Sequence, residues 1–577
     1  MISVAAMLAL PALAQDRVAP SIATSPLTPA PGSTAPVSGP GPSEATAGLG
    51  ESETGITAIT AAELPLPTPP VELPEHARRD PWVVGRLDPV KLGLGVNPWG
   101  TASGAFLSSL MRRTDTPTAS RWAHIALRSA LLAKAKAPRN VNPVDWVAER
   151  AWLLLRMGEA DAARMLVSGV DVDKFTPKMF QVAVQSSLAN SDPAGLCPLL
   201  DGVRKVEPRV LPLVDAMCAS LSGEPESAAA QIDSARRRGR IGGIDLVLAQ
   251  KVVGAGADTA VTVEWDPVDR LTSWRFGLAT ATGMTLPDRL LKSATPQVRA
   301  WQARAPLLSA QQRLDSARIA TGLGVFSSQS LMDLYSTIYD ATDPDQLSES
   351  DAWQVRLAFV GKDRDARIQA IRRLWSTSND PLQVEASRAL AGRAATLIAP
   401  DPDLQTDASA LIASMLAAGF DRQASRWAIA VRRMDERFAD PSWAMLALAA
   451  PQTAGLDLSF GRINAFISRD QSPGKKRSAL LVAGLAGLGR IDARSADRLN
   501  RRHGLAIGHL NRWTRMIDGS AALGQAGSVL VMTATGFQAT RFEMLPSSHL
   551  YHAVAALNRT GQGYIARMIA AEALART

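Results

Sequence analysis

Four of the six histidines fall in the last seventy-five residues: His503, His509, His549 and His552. A spacing of three puts His549 and His552 on one face of a helix, where two imidazoles could hold zinc or a similar metal. No carboxylate or thiolate completes a ligand set nearby in sequence, so surface or interface histidines are the expectation, and no metal or cofactor is assigned. The two cysteines, Cys197 and Cys218, offer a different chemistry. If one helix covers about 193–205 and the next about 210–221, the two sulfurs are equidistant from the turn at Glu207-Pro208, as partners across an antiparallel hairpin would be. A disulfide is expected there, closing a loop worth roughly 3 kcal/mol by chain entropy. Pro198 works against a regular first helix, because it removes a backbone donor. Basic clusters stand at Arg236-Arg237-Arg238-Gly239-Arg240, Lys475-Lys476-Arg477 and Arg501-Arg502-His503. Cations at a helix C-terminus complement its dipole; a patch formed by Arg236, Arg237, Arg238 and Arg240 would also suit an anionic polymer or an acidic partner protein. Nucleic acid is not expected, since aromatic residues do not interleave these clusters. Phosphate-binding glycine loops, a dinucleotide fingerprint and a Gly-x-Ser-x-Gly elbow are all missing from the sequence, and neither cysteine has a histidine close by in sequence. The chain therefore reads as non-catalytic.

The elements that carry these residues are helical. Ala and Leu dominate, Tyr numbers 4 against 13 Trp, and period-two alternation is scarce. Only Val261 to Trp265 suggests an extended stretch. A capping side chain precedes proline seven times, at Asn142-Pro143, Thr176-Pro177, Asp192-Pro193, Asp266-Pro267, Thr295-Pro296, Asp380-Pro381 and Asp440-Pro441. The cap oxygen accepts an orphan N–H, and proline loses nothing at a first helical position. Ser309 with Gln312 adds a capping box.

The helices come in pairs. Trp146 to Met157 is apolar at helical spacing, turns at Gly158 and resumes toward Ala163; the same plan recurs at Gly223 with Ala228, Gly419 with Ala424 and Gly561 with Ala566. A left-handed glycine reverses the chain, and an alanine one turn later lets two backbones approach. Spacings of 65, 70, 35 and 37 between turn glycines give a period in the thirties. In this respect the chain, most clearly Ala148 to Ala163, resembles the tetratricopeptide-like superfamily. The resemblance implies an all-α superhelix of stacked antiparallel helix pairs, an α-solenoid, in which each pair covers its neighbour's apolar face. Twelve of the tryptophans, from Trp99 to Trp513, are expected as wedges between layers.

Arginine outnumbers lysine 51 to 11, an imbalance first attributable to a GC-rich bacterial genome. Residues 18–77 hold six Glu and no Lys or Arg, so this stretch carries −6 and the remainder +14, together the net +8. Twelve prolines between Pro20 and Pro74 mark a disordered tether. Before it, an apolar run from Val4 to Leu13 ends in the small-x-small pattern Ala12-Leu13-Ala14 of a secretory signal, although no basic residue precedes it. No later segment is apolar enough to span a membrane. The expected order is a signal peptide at 1–14, a tether at 15–78, a helical-repeat region at 79–255, a middle helical region at 256–400 and a second helical-repeat region at 401–577. The expected function is a periplasmic scaffold or adaptor that binds a protein partner or an anionic envelope polymer. The alternative is a peptidoglycan- or polysaccharide-acting enzyme that uses the superhelix as a substrate guide.

Overall fold

The computed structural model describes residues 74–577 except 116, 240–241, 256–260 and 454. The expected signal peptide, nearly all of the tether, and Arg240 lie outside the described residues. Among those residues the protein is all-helical; the sole strand-like features are isolated bridges between Leu87 and Ala133 and between Ser103 and Arg139. Val261 to Trp265 forms no strand.

Side-chain caps mark many of the helix starts. Asn142, Thr176 and Asp380 each accept first-turn N–H groups ahead of proline, at the starts of helices Pro143–Met157, Pro177–Ala189 and Pro381–Ala395. Ser309 and Gln312 form the reciprocal capping box of helix Ala310–Leu323. Thr295 precedes helix Pro296–Gln302 without a side-chain bond, and Asp192 starts a 3-10 helix, Pro193–Leu199. Two of the seven dipeptides do other work. Asp266-Pro267 lies in an irregular turn whose carbonyls accept the Arg289 guanidinium. Asp440-Pro441 lies inside helix Glu436–Ala449, and the Asp440 carboxylate turns instead to Arg462 and Arg469, at 2.8 Å each. That pair of guanidiniums outcompetes a local cap as a partner for a carboxylate.

The turn glycines behave as their spacing predicts. Gly158, Gly223, Gly419 and Gly561 all have φ between +82° and +88°. The alanine five residues after each, Ala163, Ala228, Ala424 and Ala566, is fully buried where the second helix meets the first. At Gly322 the approach is closer still: a Cβ there would stand 2.1 Å from the Leu382 carbonyl oxygen, so the crossing of helices Ala310–Leu323 and Pro381–Ala395 admits only glycine.

Successive pairs stack in chain order. Helices Pro143–Met157 and Ala160–Val167 pack on Pro177–Ala189; Leu211–Leu221 pairs with Pro225–Arg237; Pro381–Ala395 pairs with Gln405–Ala417. The packed side chains form two apolar cores, one built mainly by residues from Val84 to Trp301 and completed by Val531 and Ala534, the other mainly by residues from Ala300 to Leu574 and joined by Leu94, Ala119, Ala133 and part of helix Arg121–Leu131. Of the expected tryptophan wedges, Trp99, Trp146, Trp274 and Trp427 are buried most completely.

Helix Arg121–Leu131 belongs to both cores. Leu127 and Leu131 enter the first, while Trp122, Ala123, Ala126 and Ala130 enter the second. This helix packs on Ala526–Gly536 and on Gly563–Ala575, the last helix, so the row of helices returns on itself. The joint is polar and buried: the Glu572 carboxylate accepts from Ser120 Oγ at 2.5 Å, from the backbone N–H groups of Arg121 at 2.8 Å and Trp122 at 3.3 Å, and from Arg576 at 2.7 Å. A negative charge is stabilised there by the orphan N–H groups and by the helix dipole.

Arginine side chains fasten other helix ends. Arg150 donates to the carbonyls of Leu131, Ala133 and Val84. Arg156 reaches Met111 and Thr114, and Arg490 reaches Ala447 and Ala450. Burial pushes Arg150 down to about 9 and Arg490 down to about 10, so both stay cationic at neutral pH.

Cys197 and Cys218 are disulfide-bonded, with a Cα–Cα distance of 5.6 Å. The bond joins Pro193–Leu199 to Leu211–Leu221. The expected regular helix at 193–205 is instead a 3-10 segment followed by Leu200–Val206, because Pro198 cannot supply the α-helical donor.

Two outcomes follow from this architecture. Truncating Glu572→Ala leaves two helix-start N–H groups without their acceptor and deprives Arg576 of its carboxylate partner, and should lower stability by about 3–5 kcal/mol, read from urea unfolding by circular dichroism. Alkylation of denatured, unreduced protein should label neither cysteine, and Cys197→Ser should lose about 3 kcal/mol in the same unfolding measurement.

Candidate functional site

The residues singled out for chemistry are dispersed. Arg236, Arg237 and Arg238 stand exposed at the C-terminus of helix Pro225–Arg237, with Arg236 3.8 Å from Asp233. The second cluster is absorbed into structure: Lys475, Lys476 and Arg477 donate to the carbonyls of Ile467, Leu545 and Thr577. In the third, Arg501 pairs with Asp497 and His503 Nε2 meets Asn464 at 3.0 Å. His549 and His552 share a helix, Ser547–Arg559, but not a ligand. His549 uses Nδ1 on the Gly536 carbonyl and Nε2 on Asn511, under the Trp513 ring at 4.3 Å. His552 Nδ1 is 2.7 Å from Asp518. Among the described residues no group of three His, Cys, Asp or Glu side chains is arranged to hold a metal ion.

A different set converges on a cleft of about 290 Å³ beside the joint between helices Arg121–Leu131 and Gly563–Ala575. Arg121, Ile125 and Arg128 recur at spacings of four and three, so helix Arg121–Leu131 presents them together, with Trp122 alongside. Arg304, just past helix Pro296–Gln302, faces them. The opposite rim is Phe326, Ser327 and Ser328, where helix Ser328–Ala341 begins.

Glu159 and Asp161, at the turn that Gly158 makes, hold two of these cations in place. Arg128 lies 3.2 Å and His124 3.1 Å from Glu159, while Arg304 pairs with Asp161 and donates to the Val325 carbonyl. Arg121 stacks at 5.8 Å from the Trp122 ring and Arg304 at 5.7 Å from that of Phe326. Burial pushes Arg121 down, against Glu385 and Glu572, and burial likewise lowers Arg304, against Glu159. Burial pushes the Glu159 carboxyl up, but Arg128, His124 and Arg304 outweigh it and hold it below the usual carboxylate value. Guanidinium, hydroxyl and apolar groups bind and orient; guanidinium does not exchange protons at neutral pH.

The spacing of Arg121, Ile125 and Arg128 was a legible sign of one helical face. That Arg304 and Ser327 would meet it was not, because the helices bearing them are joined by tertiary packing alone. No protein-family model, no curated protein and no solved structure matches the chain.

The charge arrangement has a pH signature. Because the folded value of Glu159 is depressed, its contribution is complete above its unfolded value near 4.5 and is lost as pH falls through the folded one. Glu159→Gln should cost about 3 kcal/mol at pH 7, and the gap between its urea midpoint and that of the wild type should narrow steadily as pH is lowered toward about 3. A gap independent of pH would contradict this reading.

Proposed function

We propose that this chain is a non-catalytic periplasmic scaffold or adaptor that binds a protein partner or an anionic envelope polymer through the surface of its stacked helix pairs, a use that tetratricopeptide-like proteins make of the same plan. The observation that carries the reading is the way polar groups are deployed. Buried arginines are committed to carbonyls at helix ends, buried carboxylates to arginines, and His549 to its neighbours. The exposed basic side chains of Arg236, Arg237 and Arg238 remain for recognition of an acidic partner. Stacked helix pairs bind over extended surfaces, with affinity spread across many side chains. The disulfide supports the compartment, since such bonds persist where the surroundings are oxidising. No helix among the described residues is long and apolar enough to cross a membrane.

In-cell crosslinking followed by purification should recover one dominant envelope partner. Replacing Arg236, Arg237 and Arg238 together by Glu should reduce its recovery at least several-fold without changing the thermal midpoint. Incubation with peptidoglycan should release no soluble muropeptide; clear release would favour the envelope-enzyme alternative.

A further inference from the structure

We propose that the cleft between helices Arg121–Leu131 and Ser328–Ala341 binds a small amphipathic anion, a carboxylate joined to an apolar body of a few carbon atoms or one ring. Arg121 forms one wall of this cleft. It is 5% exposed, yet among the described residues no carboxylate lies within ion-pair distance of its guanidinium. Its Nε donates to the Thr321 carbonyl at 2.8 Å and its Nη1 to the Ala417 carbonyl at 2.7 Å, while no described group accepts from Nη2. Arg150 shows the contrast. That side chain is also buried without a carboxylate, but both of its terminal nitrogens are engaged by carbonyls.

Every carboxylate near Arg121 is already committed. Glu159 faces Arg128, Asp161 faces Arg304, Glu385 lies 3.6 Å from Arg388, and Glu572 lies 2.7 Å from Arg576. Counting Arg121, five arginines therefore meet four carboxylates, and Arg121, at the wall of the cleft, has only the longer-range attraction of Glu385 and Glu572 and no carboxylate of its own. A buried cation of this kind is stabilised by an anion brought to it.

The rest of the lining defines what carries that anion. The first turn of helix Ser328–Ala341 opens at the rim; Ser327 satisfies only the Ser330 N–H, at 2.9 Å, so further first-turn donors face outward. Trp122, Ile125 and Phe326 supply apolar walls, and about 290 Å³ is close to the lower end of ligand-site volumes, which run from roughly 300 Å³ upward. A bare inorganic anion leaves the aromatic walls in water. A neutral apolar molecule leaves Arg121 unanswered. A carboxylate on an apolar body satisfies both.

Calorimetric titration of the full chain with phenylacetate, phenylacetamide and inorganic phosphate tests this directly and does not depend on the identity of any protein partner. Phenylacetate should bind at least about tenfold more tightly than the amide, as loss of a charge-assisted bond implies. Ser328→Trp, which fills the mouth without removing an assigned hydrogen bond, should weaken phenylacetate at least about tenfold while leaving the circular dichroism spectrum unchanged. Arg121→Met should abolish the preference for acid over amide. Equal binding of acid and amide to the wild type, or no binding of either, would overturn the proposal, and so would phosphate binding as tightly as phenylacetate. The wild-type comparison decides the matter even if a variant fails to fold.

Discussion

A single buried carboxylate, that of Glu572, closes this fold. It sits on the first N–H groups of helix Arg121–Leu131, takes the Ser120 hydroxyl as well, and is answered by Arg576 one turn along its own helix. A helix N-terminus can be buried only if its orphan donors find acceptors, and this one is buried because it is wedged between two cores. Leu127 and Leu131 face one core, Trp122 and Ala126 the other. Without the carboxylate the helix start would hold unpaired donors in the interior, and the two halves of the molecule would lose the element they share.

Guanidinium chemistry extends the same principle to helix C-termini. A row of stacked helices buries many chain reversals, and each reversal leaves carbonyls without intrahelical donors. Arginine has a planar fork of donors and can reach two carbonyls at once, as Arg490 does at Ala447 and Ala450 and Arg156 at Met111 and Thr114. A lysine ammonium lacks that geometry. Genome composition is therefore not a sufficient account of the excess of arginine over lysine: Arg121, Arg150, Arg156, Arg490 and Arg567 each fasten a carbonyl at a helix end or just beyond it.

What was legible in the sequence was local. Turn glycines with an alanine five residues on, the caps at Asn142, Thr176 and Asp380, and the pairing of Cys197 with Cys218 all depend on residues close along the chain, and each is found as expected. Asp266-Pro267 and Asp440-Pro441 carried the same local signal, yet tertiary partners claimed them: Arg289 for the first, Arg462 and Arg469 for the second. The cleft was illegible for a related reason. Arg121, Arg304 and Phe326 come from elements far apart in sequence, and only the packing of those elements makes them neighbours. The histidines looked more chemical in sequence than they are in space, since Asn511, Trp513 and Gly536 enclose His549 from two other parts of the chain.

The return of the last helices to the first has a consequence for the order of assembly. Val531 and Ala534, from a helix near the end of the chain, complete the core built mainly by residues 84–301, and the Ser120–Glu572 contact spans 452 residues. Nascent chain emerging from the ribosome can zip up hairpin by hairpin, but its earliest core stays uncovered until helix Ala526–Gly536 has been made. Long-range closure of this kind slows the final step and keeps apolar surface open in the interim. The growing polypeptide thus has a built-in interval in which a chaperone can hold it before the circuit shuts.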